Sequence, residues 1–509
     1  MNRKIVGSIL IGVLAVMWGG IYISSDFGGF KDETSDDVME QGNTSILEVD
    51  AQEAGDRPVK TFDLTAQETA WKISQKKTVN AWTYNGSVPG EALRVKEGDF
   101  VRAHLKNELD VPVTIHWHGM ILPNRMDGVP GLTQDAVQPG ESFTYEFIAN
   151  DPGTYWYHSH QHSSKQVDRG LYGSLVIEEK ETEQKNDLNQ DNVFILDEWS
   201  IGQESQGMGG MMGAMSGDGE ADTKQAYDTF TVNGKSGQAI EPFIMPEGET
   251  ARLRFVNAGY QQHQLVFPEG SMKVIANDGE AVDDSKGSTN VLEIAPGERI
   301  DVAFTKPDKE SVVIGENPNI ENAGDMRIPV VSRKSSDYSE DHDLTAISDQ
   351  SIARGTSYGS ENLIFNELPE PDVTYNMDLS MGMNMGEGMA FQINQETFPD
   401  TPPIQVEEGD VVKVNIQNSG RMNHPMHLHG HRFQVMSKNG NQYDEPIVKD
   451  LIHVKPGENY EIYFKANNKG EWLFHCHDNN HADQGMVTIV DYKSVYSPFE
   501  IGGENQNRP

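Results

Sequence analysis

The chain of 509 residues contains one cysteine, Cys476, and few basic residues. A lone cysteine excludes internal disulfide bonds and, in an exported protein, favours a metal-binding or reactive role for its sulfur. Lysine and arginine number 40 against 79 aspartate and glutamate residues, which gives a formal net charge of −39. Nucleic acid is therefore not expected as a partner, because neutralising phosphates requires a basic patch.

A long uncharged run extends from Ile5 to Ser25 at the N-terminus. It exceeds the roughly 7–15 residues of a signal-peptide core and approaches the roughly 20 residues that cross a bilayer. We therefore expect residues 1–25 to anchor the protein in a membrane, or to direct its secretion if they are cleaved, with the body outside the cytoplasm. Residues 26–59 are acidic and poor in large apolar side chains, which predicts a flexible linker.

Two short motifs each recur three times along the rest of the chain. The first is a Glu-Gly turn before an alternating strand that ends at an asparagine, with its glycine at Gly98, Gly248 and Gly409. The second is a Pro-Gly-Glu turn before another strand, with its glycine at Gly140, Gly297 and Gly457. Three copies indicate three similar domains. Short strands separated by turn signals predict an all-β protein, with a Greek-key sandwich or barrel in each domain. The predicted domains are residues 60–183, 190–333 and 358–495, followed by a C-terminal tail at 496–509.

The first and third predicted domains carry pairs of histidines at equivalent places in the repeat. The pairs are His116 and His118, His158 and His160, His427 and His429, and His475 and His477. Residues i and i+2 of a strand share a face, so each pair presents two imidazoles in one direction. If the two domains pack about a pseudo-two-fold axis, eight imidazoles converge, which is too many for one ion and fits a cluster of about three metals. The second domain lacks these histidines and is predicted to act as a spacer.

Cys476 lies between the two histidines of the last pair, on the opposite face of the predicted strand. His481 and Met486 follow it, and a loop containing a proline is expected to bring His424 to the same face. A thiolate, two imidazoles and a distant thioether describe a blue-copper electron-transfer site. The pattern therefore predicts that electrons pass from this site to the histidine cluster through the residues that flank the sulfur.

These segments, which lie within about residues 60–495, resemble the four copper motifs of the multicopper oxidases. The segments are His116-Trp117-His118-Gly119, His158-Ser159-His160, His424-Pro425-Met426-His427-Leu428-His429-Gly430 and His475-Cys476-His477-x3-His481-x4-Met486. The resemblance implies three cupredoxin domains and four copper ions, three of them in a trinuclear cluster between the first and third domains. It implies type 1 copper at His424, Cys476, His481 and Met486, and type 2 copper at His116 and His427. The type 3 pair would be held by His118, His158, His160, His429, His475 and His477.

The family's chemistry is one-electron oxidation of a reductant at the type 1 site, coupled to reduction of O2 to water at the cluster. Asp127 resembles the family's carboxylate beside the cluster, which could orient the type 2 water or relay protons. Ala482 stands where many bacterial relatives carry a second carboxylate, and Asp483 follows it. This departure leaves the proton route open.

Two methionine-rich stretches, at 208–215 and 377–389, bear on the substrate. Their glycines predict mobile loops, and thioethers are soft ligands that select Cu(I). Family members with such segments resemble copper-resistance oxidases, and this resemblance implies a cuprous oxidase active in copper tolerance, with laccase-type activity toward phenols and aromatic amines. The alternatives are a laccase-like enzyme with an organic or Mn(II) substrate, and a copper-sequestration protein without turnover.

Overall fold

The computed structural model describes residues 44–49, 51–180, 188–201, 227–283, 289–333, 344, 352–384 and 388–509. The predicted anchor and the first part of the predicted linker lie outside these residues. Within the described ranges, no helix is both long enough and apolar enough to cross a bilayer.

The first domain is a sandwich of two four-stranded sheets. Its sheets have the orders β3-β2-β5-β7 and β4-β9-β8-β6, and Trp117 on one packs edge-on against Tyr145 on the other at 5.7 Å between ring centroids. After β1 (Thr44–Ser45), the elements are β2 (Val59–Lys72), β3 (Thr78–Tyr84), β4 (Gly90–Lys96), β5 (Phe100–Asn107), β6 (His116–His118), a 3-10 helix (Asn124–Met126), β7 (Ser142–Ile148), β8 (Gly153–His158), helix α1 (Ser163–Gln166) and β9 (Tyr172–Glu178).

The second domain repeats this architecture with larger sheets, ordered β11-β10-β13-β18-β15-β16-β22 and β12-β20-β19-β14-β17-β21. The elements are β10 (Gln190–Trp199), β11 (Thr229–Val232), a 3-10 helix (Gly237–Ala239), β12 (Phe243–Ile244), β13 (Thr250–Asn257), β14 (His263–Val266), β15 (Met272–Asn277), β16 (Glu280–Asp283), β17 (Val291–Ile294), β18 (Arg299–Thr305), β19 (Ser311–Glu316), a 3-10 helix (Ala323–Asp325), β20 (Arg327–Val331), β21 (Ile352–Ala353) and β22 (Gly359–Ser360). The domain extends past its predicted end at residue 333, because β21 and β22 pair with β17 and β16.

The third domain has sheets ordered β24-β23-β26-β31-β28-β29 and β25-β33-β32-β27-β30. The elements are β23 (Val373–Asn384), β24 (Gly388–Ile393), β25 (Ile404–Val406), β26 (Val411–Asn418), β27 (His424–Leu428), β28 (Phe433–Lys438), β29 (Asn441–Lys449), β30 (Leu451–Val454), β31 (Asn459–Lys465), β32 (Glu471–Cys476), helix α2 (Asn479–Asp483), β33 (Val487–Tyr492) and β34 (Val495–Tyr496). The described parts of the second methionine-rich stretch, residues 377–384 and 388–389, are therefore not a loop. They form part of the hairpin of β23 and β24, in which Met383 pairs with Met389. The first stretch lies outside the described residues.

The recurring motifs occupy the same place in each domain. The strands that follow the Glu-Gly turns are β5, β13 and β26, and they pair antiparallel with the strands that follow the Pro-Gly-Glu turns, β7, β18 and β31. All six glycines have a positive φ, between 73° and 96°, a region that other residues rarely enter. The all-β class and the three cupredoxin-like domains are confirmed.

Both ends of the described chain pack against the rest of the protein. Strand β1 pairs in parallel with β34, and the neighbouring Ile46 is fully buried. The prediction of a flexible linker is therefore wrong from Thr44 to Val49, because Ile46 and Val49 supply apolar surface that the body covers. The C-terminal tail binds the first domain, where Asn507 Oδ1 accepts a hydrogen bond from the amide of Ala136 at 2.8 Å.

Candidate metal centres

Cys476 ends strand β32 and meets two histidines in a buried group. Its Sγ lies 3.7 Å from Nδ1 of His424 and 3.5 Å from Nδ1 of His481. Met486 is fully buried as well, and its carbonyl accepts the amide hydrogen of Cys476 at 3.0 Å. His424 needs no loop to reach this face. It lies with His427 on strand β27, and an odd separation of three places the two side chains on opposite faces.

Burial shifts the pKa values of Cys476 and His424 in directions that suit a site for a metal cation. Burial, followed by the nearby Asp478, raises the pKa of the Cys476 thiol well above its usual range. A thiolate at this position therefore requires a compensating positive charge. Burial and the neighbouring His481 lower the pKa of His424, which keeps the imidazole in the neutral form that binds metals.

The eight paired histidines converge on the other face of the same strand. Strand β6 pairs with β8 so that His116 lies opposite His158, and β27 pairs with β32 so that His427 lies opposite His475. The first and third domains therefore contribute matching halves. Three buried groups result, each with its ligand atoms within 4.8 Å of one another: His116, His118 and His427; His118, His158 and His477; and His160, His429 and His475.

The hydrogen bonds of this cluster leave ring nitrogens available for metal. Nδ1 of His116, His158 and His427 each donates to a main-chain carbonyl, at 2.8, 3.0 and 3.0 Å. Nε2 of the same three rings is buried and has no hydrogen-bond partner in the protein. Donation from one nitrogen fixes the ring and the tautomer, so the other nitrogen presents a lone pair. The donor set suits copper, because neutral imidazole and thiolate are ligands of copper.

Comparison with known proteins agrees with this geometry. Sequence profiles described as multicopper oxidase match residues 65–182, 191–312 and 369–494. The chain belongs to the multicopper oxidase family. It is therefore a copper-dependent oxidase that uses oxygen as the electron acceptor. The roles given above to individual ligands remain predictions.

Curated relatives and solved structures cover most of this multicopper oxidase. The chain is 28% identical to the multicopper oxidase MmcO of Mycobacterium tuberculosis over 81% of its length and 83% of the relative. It is 26% identical to a copper resistance protein A homolog of Pseudomonas syringae pv. tomato, over 84% of its length and 92% of the relative. A multicopper oxidase structure from Pseudomonas thermotolerans matches with a TM-score of 0.66 at 27% identity, covering 86% of this chain and 100% of the other.

Asp127 lies against the histidine cluster, where the sequence predicted a carboxylate. Its Oδ2 accepts a hydrogen bond from Nδ1 of His429 at 2.8 Å, and its main-chain oxygen accepts one from Nδ1 of His116 at 2.8 Å. Asp127 therefore contacts one histidine predicted for type 2 copper and one predicted for type 3 copper. Gly128 lets the chain turn here, because a Cβ at that position would lie 1.8 Å from the carbonyl oxygen of Ile115.

Asp450 is a second aspartate beside the cluster, and the sequence reasoning missed it. Its main-chain oxygen accepts from Nδ1 of His427, as Asp127 does from His116. Burial disfavours its ionised form, but Arg299 holds the pKa of the Asp450 carboxyl below its usual range. The sequence carried a signal, since Lys449 and Asp450 separate the apolar pairs Ile447-Val448 and Leu451-Ile452; both charged residues are buried.

The acidic residues around α2 have structural contacts of their own. Asp478 caps the helix, and its carboxylate accepts from the amide of Asn480 at 3.1 Å and lies 3.4 Å from Nε2 of His481. Asp483 contacts Ser164 and lies 3.6 Å from Nδ1 of His162, so it joins α2 to the first domain. Asp478 therefore shapes this helix, and Asp483 docks it on the first domain.

Proposed function

We propose that this multicopper oxidase is an extracytoplasmic cuprous oxidase that also oxidises phenols and aromatic amines and acts in copper tolerance. It would bind four copper ions. One would be held by the type 1 set of His424, Cys476, His481 and Met486, and three by the eight paired histidines. Residues 1–25 would hold the protein at a membrane, or direct its secretion if they are removed.

Bound copper would supply one-electron oxidation at the cysteine site and reduction of O2 to water at the histidine cluster. The protein links the two sites through one strand, because His475 and His477 are the covalent neighbours of Cys476. The main-chain carbonyls that accept from Nδ1 hold the imidazoles in fixed orientations. Burial of all eight histidines keeps bulk water away from the cluster.

The proposal of Cu(I) as a substrate rests on the contact between His481 and the hairpin of β23 and β24, which bears the methionines. The ring of Phe391, on strand β24, stacks on the ring of His481 at 3.9 Å between centroids. Met381 pairs with Phe391 across the hairpin, and Met381 and Met383 are 37% and 74% exposed. Soft thioethers therefore stand in solvent on the element that covers a type 1 ligand. Relatives named copper resistance protein A support the proposed role in copper tolerance.

A cavity beside helix α2 favours a second, organic substrate. It measures about 720 Å3 and is lined by Met389 and Phe398 of the third domain and by Ala482 and Asp483 of α2. A volume in the range of about 300–1,000 Å3 accommodates small molecules. Phenols and aromatic amines are therefore proposed to bind beside α2, while Cu(I) is captured by the hairpin.

Oxidation of Cu(I) and oxidation of a phenol can be tested separately by replacing Met381 and Met383 with leucine, because neither residue lines the cavity. Leucine preserves the hydrophobic volume and removes only the sulfur. We expect kcat/KM for Cu(I) to fall and kcat/KM for a phenol to stay at the wild-type value, with both followed as O2 consumption. A deletion of 377–389 is unsuitable, because Met377 is fully buried within strand β23.

The matched control carries two leucine substitutions in the core of the second domain, at Met272 and Met326. This variant should oxidise both substrates as the wild type does. Equal retention of Cu(I) oxidation in the hairpin variant would refute the cuprous assignment and leave the organic substrate. Copper binding without any O2 consumption would instead indicate sequestration. Fractionation of cells that produce the full chain, with and without residues 2–25, tests the proposed location.

A further inference from the structure

The middle domain holds no predicted copper ligand, yet it touches the histidine cluster. The turn before strand β18 packs on His477. A Cβ on Gly297, which has φ +83°, would lie 2.8 Å from Cγ of His477 and 2.6 Å from Cδ1 of Leu451. Arg299 follows two residues later and is 1% exposed. The middle domain therefore does more than separate its neighbours.

The guanidinium of Arg299 forms a two-fold contact with Asp450 of the third domain. Nη1 donates to Oδ1 at 2.7 Å and Nη2 donates to Oδ2 at 2.5 Å. Nε donates to the carbonyl of Thr154 in the first domain at 3.2 Å. One planar group thus joins all three domains, and a bidentate contact fixes the orientation of a carboxylate as well as its position.

Asp450 in turn contacts two histidines of the cluster. Nδ1 of His427 donates to its main-chain oxygen at 3.0 Å and lies 3.3 Å from its Oδ1. Nε2 of His118 lies 3.6 Å from the same Oδ1. The contact with His427 matches that between Asp127 and His116, whose Nδ1 lies 3.2 Å from Oδ1 of Asp127. Each of the two histidines predicted for type 2 copper is therefore oriented by one aspartate.

The position of Arg299 is constrained on its other sides too. Gly119, directly after His118, has φ +83°, and a Cβ there would lie 2.3 Å from Nη2 of Arg299. Asp278 Oδ1 lies 3.2 Å from Nη1 of Arg299, and its Oδ2 lies 2.7 Å from Nζ of Lys449. Charges of alternating sign thus surround the guanidinium, and a side chain of another shape cannot replace it without leaving a buried carboxylate unpaired.

We propose that Arg299 is a positioning residue for the type 2 copper site: it holds Asp450, and through Asp450 the His427 imidazole, in the orientation that binds copper. This inference rests on the copper sites of the proposed function. Removing a partner that orients a metal-bound histidine typically costs about 10- to 100-fold in metal affinity. The copper held by His116 and His427 should weaken by that factor, while the copper at Cys476 should not.

The test uses Arg299→Met and Arg299→Lys in the full copper-loaded protein. Arg254→Met is the matched control, because Arg254 is 3% exposed, lies in the same domain and pairs with Asp191 and Asp301 at 2.6 and 3.1 Å. The readouts are copper per chain, the visible absorbance of the type 1 copper, and the amplitude of the type 2 electron paramagnetic resonance signal during titration with free copper. The conservative lysine variant, which keeps one charged donor, should retain more type 2 signal than the methionine variant.

The expected result is an intact type 1 band in all three variants and a type 2 titration shifted about 10- to 100-fold only in the Arg299 variants. An unshifted titration in Arg299→Met would overturn the inference, and so would an equal shift in Arg254→Met. Loss of both signals in both Arg299 variants would also overturn it, because that pattern marks a general folding role. Absence of the type 1 band from the wild type would instead refute the proposed function and, with it, this inference.

Discussion

Replacing His263 by glutamine is expected to destabilise the protein by an amount that depends on pH. His263 lies on strand β14 of the middle domain, fully buried between two glutamates. Its Nδ1 lies 2.8 Å from Oε2 of Glu316, and its Nε2 lies 3.4 Å from Oε2 of Glu198. Burial by itself would lower the pKa of His263, but these carboxylates raise it from 6.5 to about 10. The folded protein therefore holds an imidazolium in its core at neutral pH.

The size of the effect follows from the difference in pKa between the folded and unfolded states. A pKa raised from 6.5 to about 10 stabilises the folded state fully below pH 6.5, and this contribution is lost as the pH rises from 6.5 through about 10. At about 1.36 kcal/mol per pKa unit, the contribution falls by roughly 3 kcal/mol between pH 7 and pH 10. The variant has no such group, so the difference in stability between wild type and variant should shrink by that amount.

Chemical denaturation of the metal-free chain at pH 7, 8, 9 and 10 measures this difference without competition between protons and copper. His453→Gln is the control, because burial lowers the pKa of His453 to about 4 and the ring stays neutral over this range. The wild type and the control should lose stability in parallel. If the stability difference between wild type and His263→Gln is the same at pH 7 and pH 10, His263 is not charged in the folded protein and the reasoning fails.

Three further predictions concern the histidine cluster. The metal-free chain should lose stability as the pH falls from 6.5 toward about 3, because burial and neighbouring histidines lower the pKa of His475 to about 3. Denaturation midpoints measured at pH 5 and pH 8 check this prediction. Equal midpoints at the two pH values would contradict it. Asp127→Asn should keep the type 1 absorbance and lower O2 consumption by about 10- to 100-fold, since it weakens the contact that orients His429. Unchanged turnover would show that Asp127 does not orient His429 for catalysis. Gly128→Ala should lower the copper content per chain, because its Cβ would lie 1.8 Å from the carbonyl oxygen of Ile115; full loading would show that the loop can move.

The repeats predicted the fold because they mark geometry that few residues can adopt. The glycines of the recurring turns, such as Gly98 and Gly409, have a positive φ, so their spacing reports the strand layout of each domain. The boundary after residue 333 was harder to place, because β21 and β22 are two residues each. Strands that short leave no alternating pattern.

The candidate site likewise contains residues that the sequence predicted and residues that it did not. Histidine pairs at i and i+2 show which side chains share a face, and the structure brings all eight into contact. Arg299 escaped notice because it acts through Asp450, a partner in another domain that lies 151 positions away. A contact of that kind depends on how whole domains pack, and no local spacing encodes it.

The two predicted copper sites differ in how much of the polypeptide they require. The cysteine and its three companions all belong to the last domain, whereas the cluster histidines are divided equally between the first and last domains. A fragment consisting of the last domain would therefore possess every atom needed for a blue colour and only half of those needed to reduce oxygen. Colour thus reports the folding of one module, and oxygen consumption reports the complete assembly.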